Sequence, residues 1–217
     1  MKERPIIFSG PMVEAILGGR KTMTRRVVKP QPRQFSGRAG NRWIGDPITE
    51  MGKLISCPYG KPGDRLWVRE TFAYSTDDEL LPKENHRKCP ERAGYYAQNV
   101  VWRSDGKNEF HPRDGKALWK PSIHMPRWAS RLLLEVVAIR VERVGDISSG
   151  DAFAEGILEY EIACYHWEPF KMGQTYFPNA VEAYRVLWDT INAIRGYGWD
   201  SNPWVWVVEF KRIEAEA

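Results

Sequence analysis

The segment Arg131 to Val144 (RLLLEVVAIRVERV) most constrains what this chain can become. Its run of Leu and Val, the valines branched at Cβ and so stiff, favours extended backbone and predicts a long strand at a core position, with a bend. A second such run, Pro203 to Ile213, closes the C-terminal region, and its alternation puts Trp204 and Trp206 on one face. The turn Lys61-Pro62-Gly63-Asp64 precedes a third strand at Arg65 to Phe72, with Leu66, Val68 and Glu70 on one side and Trp67, Arg69 and Thr71 on the other. Arg25 to Val28, stopped by Lys29-Pro30, and Gly94 to Trp102 are further β-prone runs. Helices are predicted at Met12 to Leu17, at Ala152 to Ile157 and at Val181 to Ala193. Pro11 and Gly18-Gly19 bracket the first, Ser148, Ser149 and Asp151 offer caps to the second, and Gly196-Tyr197-Gly198 ends the third. Residues 30 to 60, 75 to 93 and 103 to 127 read as loops. Strands scattered among short helices do not make the regular alternation of a parallel sheet. They predict an α+β fold, a compact mixed β-barrel with peripheral helices.

The chain has 217 residues, 42% of them apolar and 28% charged, which excludes a disordered or fibrous protein. No apolar run approaches the roughly 20 residues of a membrane span, and MKERPIIFSG lacks a signal-peptide core, so a soluble cytoplasmic protein is expected. Cys57, Cys89 and Cys164 are odd in number and widely spaced, which fits a reducing compartment better than a disulfide framework. The pairs His86/Cys89 and Cys164/His166 do not match a zinc spacing, and no Walker loop, GxGxxG or GxSxG elbow occurs. No metal or cofactor is expected.

Charge is unevenly placed. Between Glu14 and Asp46 lie eight of the chain's 32 Lys and Arg and none of its 28 Asp and Glu. Such a block faces a polyanion, nucleic acid above all, or forms a solvated loop. Within it, Gly19-Arg20-Lys21-Thr22-Met23-Thr24-Arg25-Arg26 combines an amine, a hydroxyl and neighbouring arginines. A lysine becomes a base when burial or nearby positive charge lowers its pKa, and a threonine becomes a nucleophile when such a base is at hand. Lys21 and Thr24 share a side on a helical turn and oppose each other on a strand. The same residues suit a basic turn that grips phosphate, and both readings stay open. Glu155, before Gly156 at a helix end, is a candidate proton donor or acceptor, or else an ordinary solvated glutamate. The ten Trp are core wedges or platforms for bases; most are expected in the core, with Trp128, between Arg127 and Arg131, a candidate for stacking.

Four separated segments, GRKTMTRR (19 to 26), KPGDRLWVRETF (61 to 72), DISSGDAFAEGI (146 to 157) and NPWVWVVEFK (202 to 211), resemble in sequence and order the ASCH domain of the PUA-like superfamily, small β-barrels associated with RNA. With SIHMPRWASR (122 to 131), the chain looks like the longer versions encoded by bacteriophages and prophages. The resemblance implies one domain over 1 to 217, with long loop insertions at about 30 to 60, 75 to 127 and 158 to 180. Some small bacterial ASCH proteins are N4-acetylcytidine amidohydrolases. By that resemblance Lys21 is the base, Thr24 the nucleophile and Glu155 the proton donor to the leaving amine. Arg20, Arg25, Arg26, Arg127 and Trp128 are candidates for binding RNA or a modified cytidine. Other ASCH proteins are single-stranded RNA ribonucleases, and a non-catalytic RNA-binding module is the remaining alternative.

Overall fold

The computed structural model describes residues 1–32, 34–39, 42–48, 54–74, 100–102, 119–160, 164–166 and 177–213. The insertion residues 75–93 and most of 103–127, with His86 and Cys89, lie outside this set. So does the greater part of 158–180.

The fold is mixed α+β, built on a five-stranded sheet. Five strands, β1 (Glu3–Ile7), β2 (Met23–Val27), β5 (Arg65–Arg69), β8 (Leu133–Arg143) and β11 (Trp204–Ile213), run in the order β1-β5-β8-β11-β2. β1 is parallel to β5, and every other neighbour pair is antiparallel. Three two-stranded pieces accompany it: β3 (Gln34–Ala39) with β4 (Arg42–Ile48), β6 (Phe72–Tyr74) with β7 (Val100–Trp102), and β9 (Leu158–Tyr160) with β10 (Cys164–His166). Helices α1 (Gly10–Leu17), α2 (Ser149–Ala154) and α3 (Ala180–Asn192) complete the set.

β8 and β11, the two longest strands, form the spine. Their register runs from Trp204↔Arg143 to Ile213↔Leu133, with a shift between Glu209 and Phe210 that skips Val137 of β8, a bulge that bends β8, the strand in which a bend was expected. β11 is buried on both faces, which is why its apolar residues run almost without interruption. Trp206, Val208 and Phe210 join a core with Ile6, Leu66 and Leu134, whereas Val205 and Val207 join a second core with Ala183, Leu187 and Trp188 of α3. Caps fix the helices: the Ser148 hydroxyl accepts from the Asp151 amide (3.1 Å) and the Asn179 side chain from the Glu182 amide (2.9 Å).

β1 and β2 are the sheet's two edges, and α1 carries the chain from one to the other. Val13 and Ile16 of α1 insert into the first core, and Arg26 Nη2 on β2 donates to Ile7 O at the end of β1 (2.7 Å). The pairing thus ends at these strands, and a side chain spans the seam that ladder bonds would close in a barrel. Two strand pieces stand in residues read as loop: β3 and β4, where Gly37, Gly45 and Pro47 dilute the alternation. The strand at 65 to 72 breaks after Arg69, where the buried Glu70 carboxylate turns to Arg131 Nε (3.0 Å). Among the described residues no helix is long and apolar enough to cross a membrane.

Leu134 is fully buried on β8 and Val137, on the same strand, is half exposed. Leu134→Ala is expected to cost about 2–5 kcal/mol in urea unfolding, and Val137→Ala no more than about 0.5 kcal/mol. Equal losses would contradict the assignment of faces.

Candidate active site

The site starts at a backbone turn. Gly19 takes φ +73°, and the amides of Arg20 and Lys21 both donate back to Ala15 O (2.9 and 3.0 Å) at the end of α1. The Thr22 amide donates to Ala154 O (2.9 Å), and Thr22 O accepts from the Phe210 amide (2.9 Å). These bonds pin the turn between the last residue of α2 and β11. Lys21 therefore precedes the strand, and Thr24 lies within it, opposite Val208.

The Lys21 side chain is wholly shielded from solvent. Its Nζ donates to Glu155 Oε2 (2.6 Å) and to Glu155 O (2.8 Å) across 134 residues of chain. Glu155 is the C-cap of α2, and its side chain is 4% exposed. Its other oxygen, Oε1, accepts from Tyr184 OH (3.4 Å) and faces Arg25 Nη1 (3.5 Å). Arg25 in turn places Nη2 between Glu142 Oε1 (2.5 Å) and Asp151 Oδ2 (2.6 Å). Arg140 ties the outer carboxylates together by pairing with Glu142, Asp151 and Glu209.

Electrostatics follow from this packing. Burial pushes the Lys21 amine below the ordinary lysine range; Glu155 opposes that shift, and Arg26 and Arg25 add to it. The Tyr184 phenol is pushed well above its usual range by burial and by the Glu155 charge, so it stays protonated and serves as a donor to that carboxylate.

Beside this cluster lies a cavity of about 290 Å³. Thr24, Arg25, Arg26 and Val27 form its floor, Tyr184, Leu187 and Trp188 of α3 one wall, and Met12, Pro58, Tyr59 and Trp206 the other. Glu155 lines it as well, while Lys21 stands behind Glu155 and does not. Pro58 O accepts from Arg4 Nη1 of β1 (3.3 Å), so the Tyr59 wall belongs to the β1 side of the seam. Lys29 and Arg195 stand at the rim; Lys29 Nζ lies 5.2 Å from the centre of the Tyr197 ring.

The structure brings Thr24 and Glu155 to one cavity and joins Lys21 to it through Glu155. Arg25 and Arg26 line the same cavity. Arg26 lies 5.2 Å from the Phe8 ring centre, and its buried Nε has no partner among the described residues. Arg20 is exposed and outside the lining. Arg127 and Trp128 are elsewhere: Arg127 Nε pairs with Glu3 Oε2 (2.7 Å), and Trp128 packs on the small cluster of Phe72, Val100, Met125 and Ala129. Trp67, Trp188 and Trp206 are buried, as expected of most rings, and Trp204 shares the core face of Trp206. Sequence reasoning missed three members of the cluster. Tyr184 was hidden in the apolar face of α3, where a hydroxyl among Ala183, Leu187 and Trp188 was the available signal. Asp151 reads as a helix cap, and Glu142 is not set apart from the rest of its strand. Among the described residues no group of three His, Cys, Asp or Glu could hold a metal ion.

Removing one partner of a buried ion pair strands the other charge. Lys21→Met is expected to cost about 3–5 kcal/mol, and Lys21→Met with Glu155→Gln at least about 1 kcal/mol less than the sum of the single changes, by chemical unfolding. Arg127→Ala, which breaks an exposed pair, should cost under about 1 kcal/mol. Strict additivity of the first two would show that the contact does not couple them.

No family model matches the sequence, and neither does any curated protein. The crystal structure of an ASCH domain from Lactobacillus crispatus JV V101 aligns with 97% of this chain and 79% of its own length, at 12% identity and a TM-score of 0.38. A likeness that slight carries no conclusion about this chain.

Proposed function

We propose that this chain is a PUA-like ASCH domain whose seam cavity binds a cytidine-like base, in RNA or as a modified nucleoside, and hydrolyses an acyl group from its N4. One observation carries the reading. An amine and a carboxylate that the motif resemblance names, Lys21 and Glu155, meet at 2.6 Å, and Glu155 lines the cavity that Thr24 also lines.

The chemistry needs an activated hydroxyl and a protonated leaving nitrogen. A single proton lies between Lys21 Nζ and Glu155 Oε2. Moved to the carboxylate, it leaves a neutral amine and a carboxylic acid, a base and an acid side by side. Burial disfavours the charged form of Lys21, and Glu155 opposes that effect. Thr24 Oγ1 then attacks the acyl carbon and gives its proton to Lys21. The tetrahedral intermediate collapses, the C–N bond breaks, and Glu155 delivers its proton to N4. Water cleaves the resulting Thr24 ester to release the carboxylic acid and restore the hydroxyl. The reading requires the Lys21 amine to come within hydrogen-bond reach of Thr24 once substrate fills the cavity.

A second reading has its own support. Arg26, Lys29 and Arg195 stand at the cavity, while carboxylates already meet the charges of Lys21 and Arg25. In that case the cluster is structural and the basic rim retains RNA.

Purified protein is expected to release acetate from N4-acetylcytidine. Thr24→Val and Glu155→Gln should each lower kcat/KM at least about 100-fold. The falling limb of the pH–rate profile should lie below the ordinary lysine range, because activity is lost as the proton shared by Lys21 and Glu155 leaves for solvent and no acid remains for N4. Undiminished turnover by Thr24→Val would overturn the nucleophile assignment. Retention of single-stranded RNA without acetate release, weakening steeply with salt, would favour the second reading; cleavage of that RNA would make the protein a nuclease.

A further inference from the structure

The cavity floor is main chain as well as side chain. Val28 donates its amide to Trp204 O (3.0 Å), and Thr22 O accepts from the Phe210 amide (2.9 Å). Both pairs continue the β2–β11 register, in which Thr24 faces Val208 and Arg26 faces Trp206. In an antiparallel ladder alternate residues turn both N–H and C=O toward the same neighbour. The even-numbered residues of β2 thus spend their polar groups on β11, and Arg25 and Val27 turn theirs the other way. No strand pairs beyond β2 in the described sheet.

That unpaired side faces the cavity. Thr24 and Arg26 project from one face of β2, Arg25 and Val27 from the opposite face, and all four line the same space. Side chains from both faces of a strand can border one cavity only where it runs along the strand's edge. Tyr59, Trp188, Tyr197 and Trp206 also border it, supplying flat apolar surface.

We infer that the free edge of β2 is the base-reading element of the cavity, its N–H and C=O groups at Arg25 and Val27 pairing with the N3 acceptor and N4–H donor of a 4-aminopyrimidine. An extended residue offers a donor and an acceptor side by side, the arrangement a neighbouring strand would take. Cytosine, and its N4-acyl form, present the complementary pair on one edge of a flat ring, which the aromatic walls can cover. A peptide strand also fits a free edge. Here α3 packs alongside, and a cavity of about 290 Å³ sits at the small end of the roughly 300–1,000 Å³ range of small-molecule sites. The inference rests on the cavity being a nucleoside site but not on its being catalytic.

Calorimetric titration of the intact protein with cytidine, 3-deazacytidine (no N3 acceptor) and N4,N4-dimethylcytidine (no N4 donor) tests it. Each analogue should bind at least about tenfold more weakly than cytidine, the loss expected when a desolvated main-chain group is left unpaired. Val27→Pro, which deletes one edge N–H at a position where an edge strand tolerates proline, should weaken cytidine at least about tenfold, and Val27→Ala less than about threefold. Equal binding of all three nucleosides would overturn the edge inference and leave the cavity reading intact. Failure of the wild-type protein to bind any of them would overturn both. Amide shifts at Arg25 and Val27 caused by an extended peptide, and not by cytidine, would reassign the edge to strand addition. Should Val27→Pro not fold, the analogues decide alone.

Discussion

A lysine amine without access to water can stay charged only if an anion is buried with it. Lys21 and Glu155 meet that condition at 2.6 Å, and the organisation of this end of the molecule depends on it. The pair ties the turn after α1 to the end of α2, residues separated by most of the chain. Arg25 and Tyr184 reach the second oxygen of the same carboxylate and bring in β2 and α3. Taking two ions out of water is costly, and the return is adequate only when the remaining hydrogen-bonding capacity is filled. Further partners share that role here: Lys21 adds the Glu155 carbonyl, and Arg25 adds Glu142 and Asp151.

The seam between β1 and β2 is the other side of the same design. Consecutive in sequence, these strands end up at opposite edges of the sheet, with α1 plugging the gap and Arg26 crossing it. Full pairing of the two edges would consume the polar groups of β2 and remove the cavity. Leaving the seam to a helix and a guanidinium keeps an unpaired edge within the molecule, bordered by α3 and the Tyr59 loop, where open-ended association with other strands is hindered.

Much of the frame was legible in the sequence because it is written in long apolar runs. β8, β11 and α3 lie within a residue or two of their expected limits, since each buries a stretch that period alone identifies. β1 was not legible: Glu3–Ile7 is five residues long and contains Pro5, which an edge strand accommodates because one side needs no ladder bond. The site was legible only in part. Periodicity cannot show that residues 134 apart will touch, so Lys21, Thr24 and Glu155 stood together through motif resemblance. Arg25 stood out as a surface cation in a basic block; the fold turns it inward as the counter-ion of carboxylates that lie more than 100 residues further along the chain. Composition measures how many charges there are, and tertiary structure decides which of them remain to meet a ligand.

That distinction bears on how the cavity would treat a base. If every cation of the basic block faced outward, affinity would rest on phosphate and would be indifferent to the base. Withdrawing Lys21 and Arg25 into the interior leaves Arg26, Lys29 and Arg195 to supply positive charge at the cavity, a smaller share than the sequence suggests. Discrimination then falls to groups of fixed position: the Glu155 carboxyl held by Lys21, Tyr184 and Arg25, and the edge of β2 held by its ladder to β11. Both are anchored by bonds made before a ligand arrives, so little ordering remains to be done on binding. A rigid carboxyl and a rigid strand edge on one floor favour a small planar ligand whose polar atoms lie in a single plane, and they give a long flexible one less to gain.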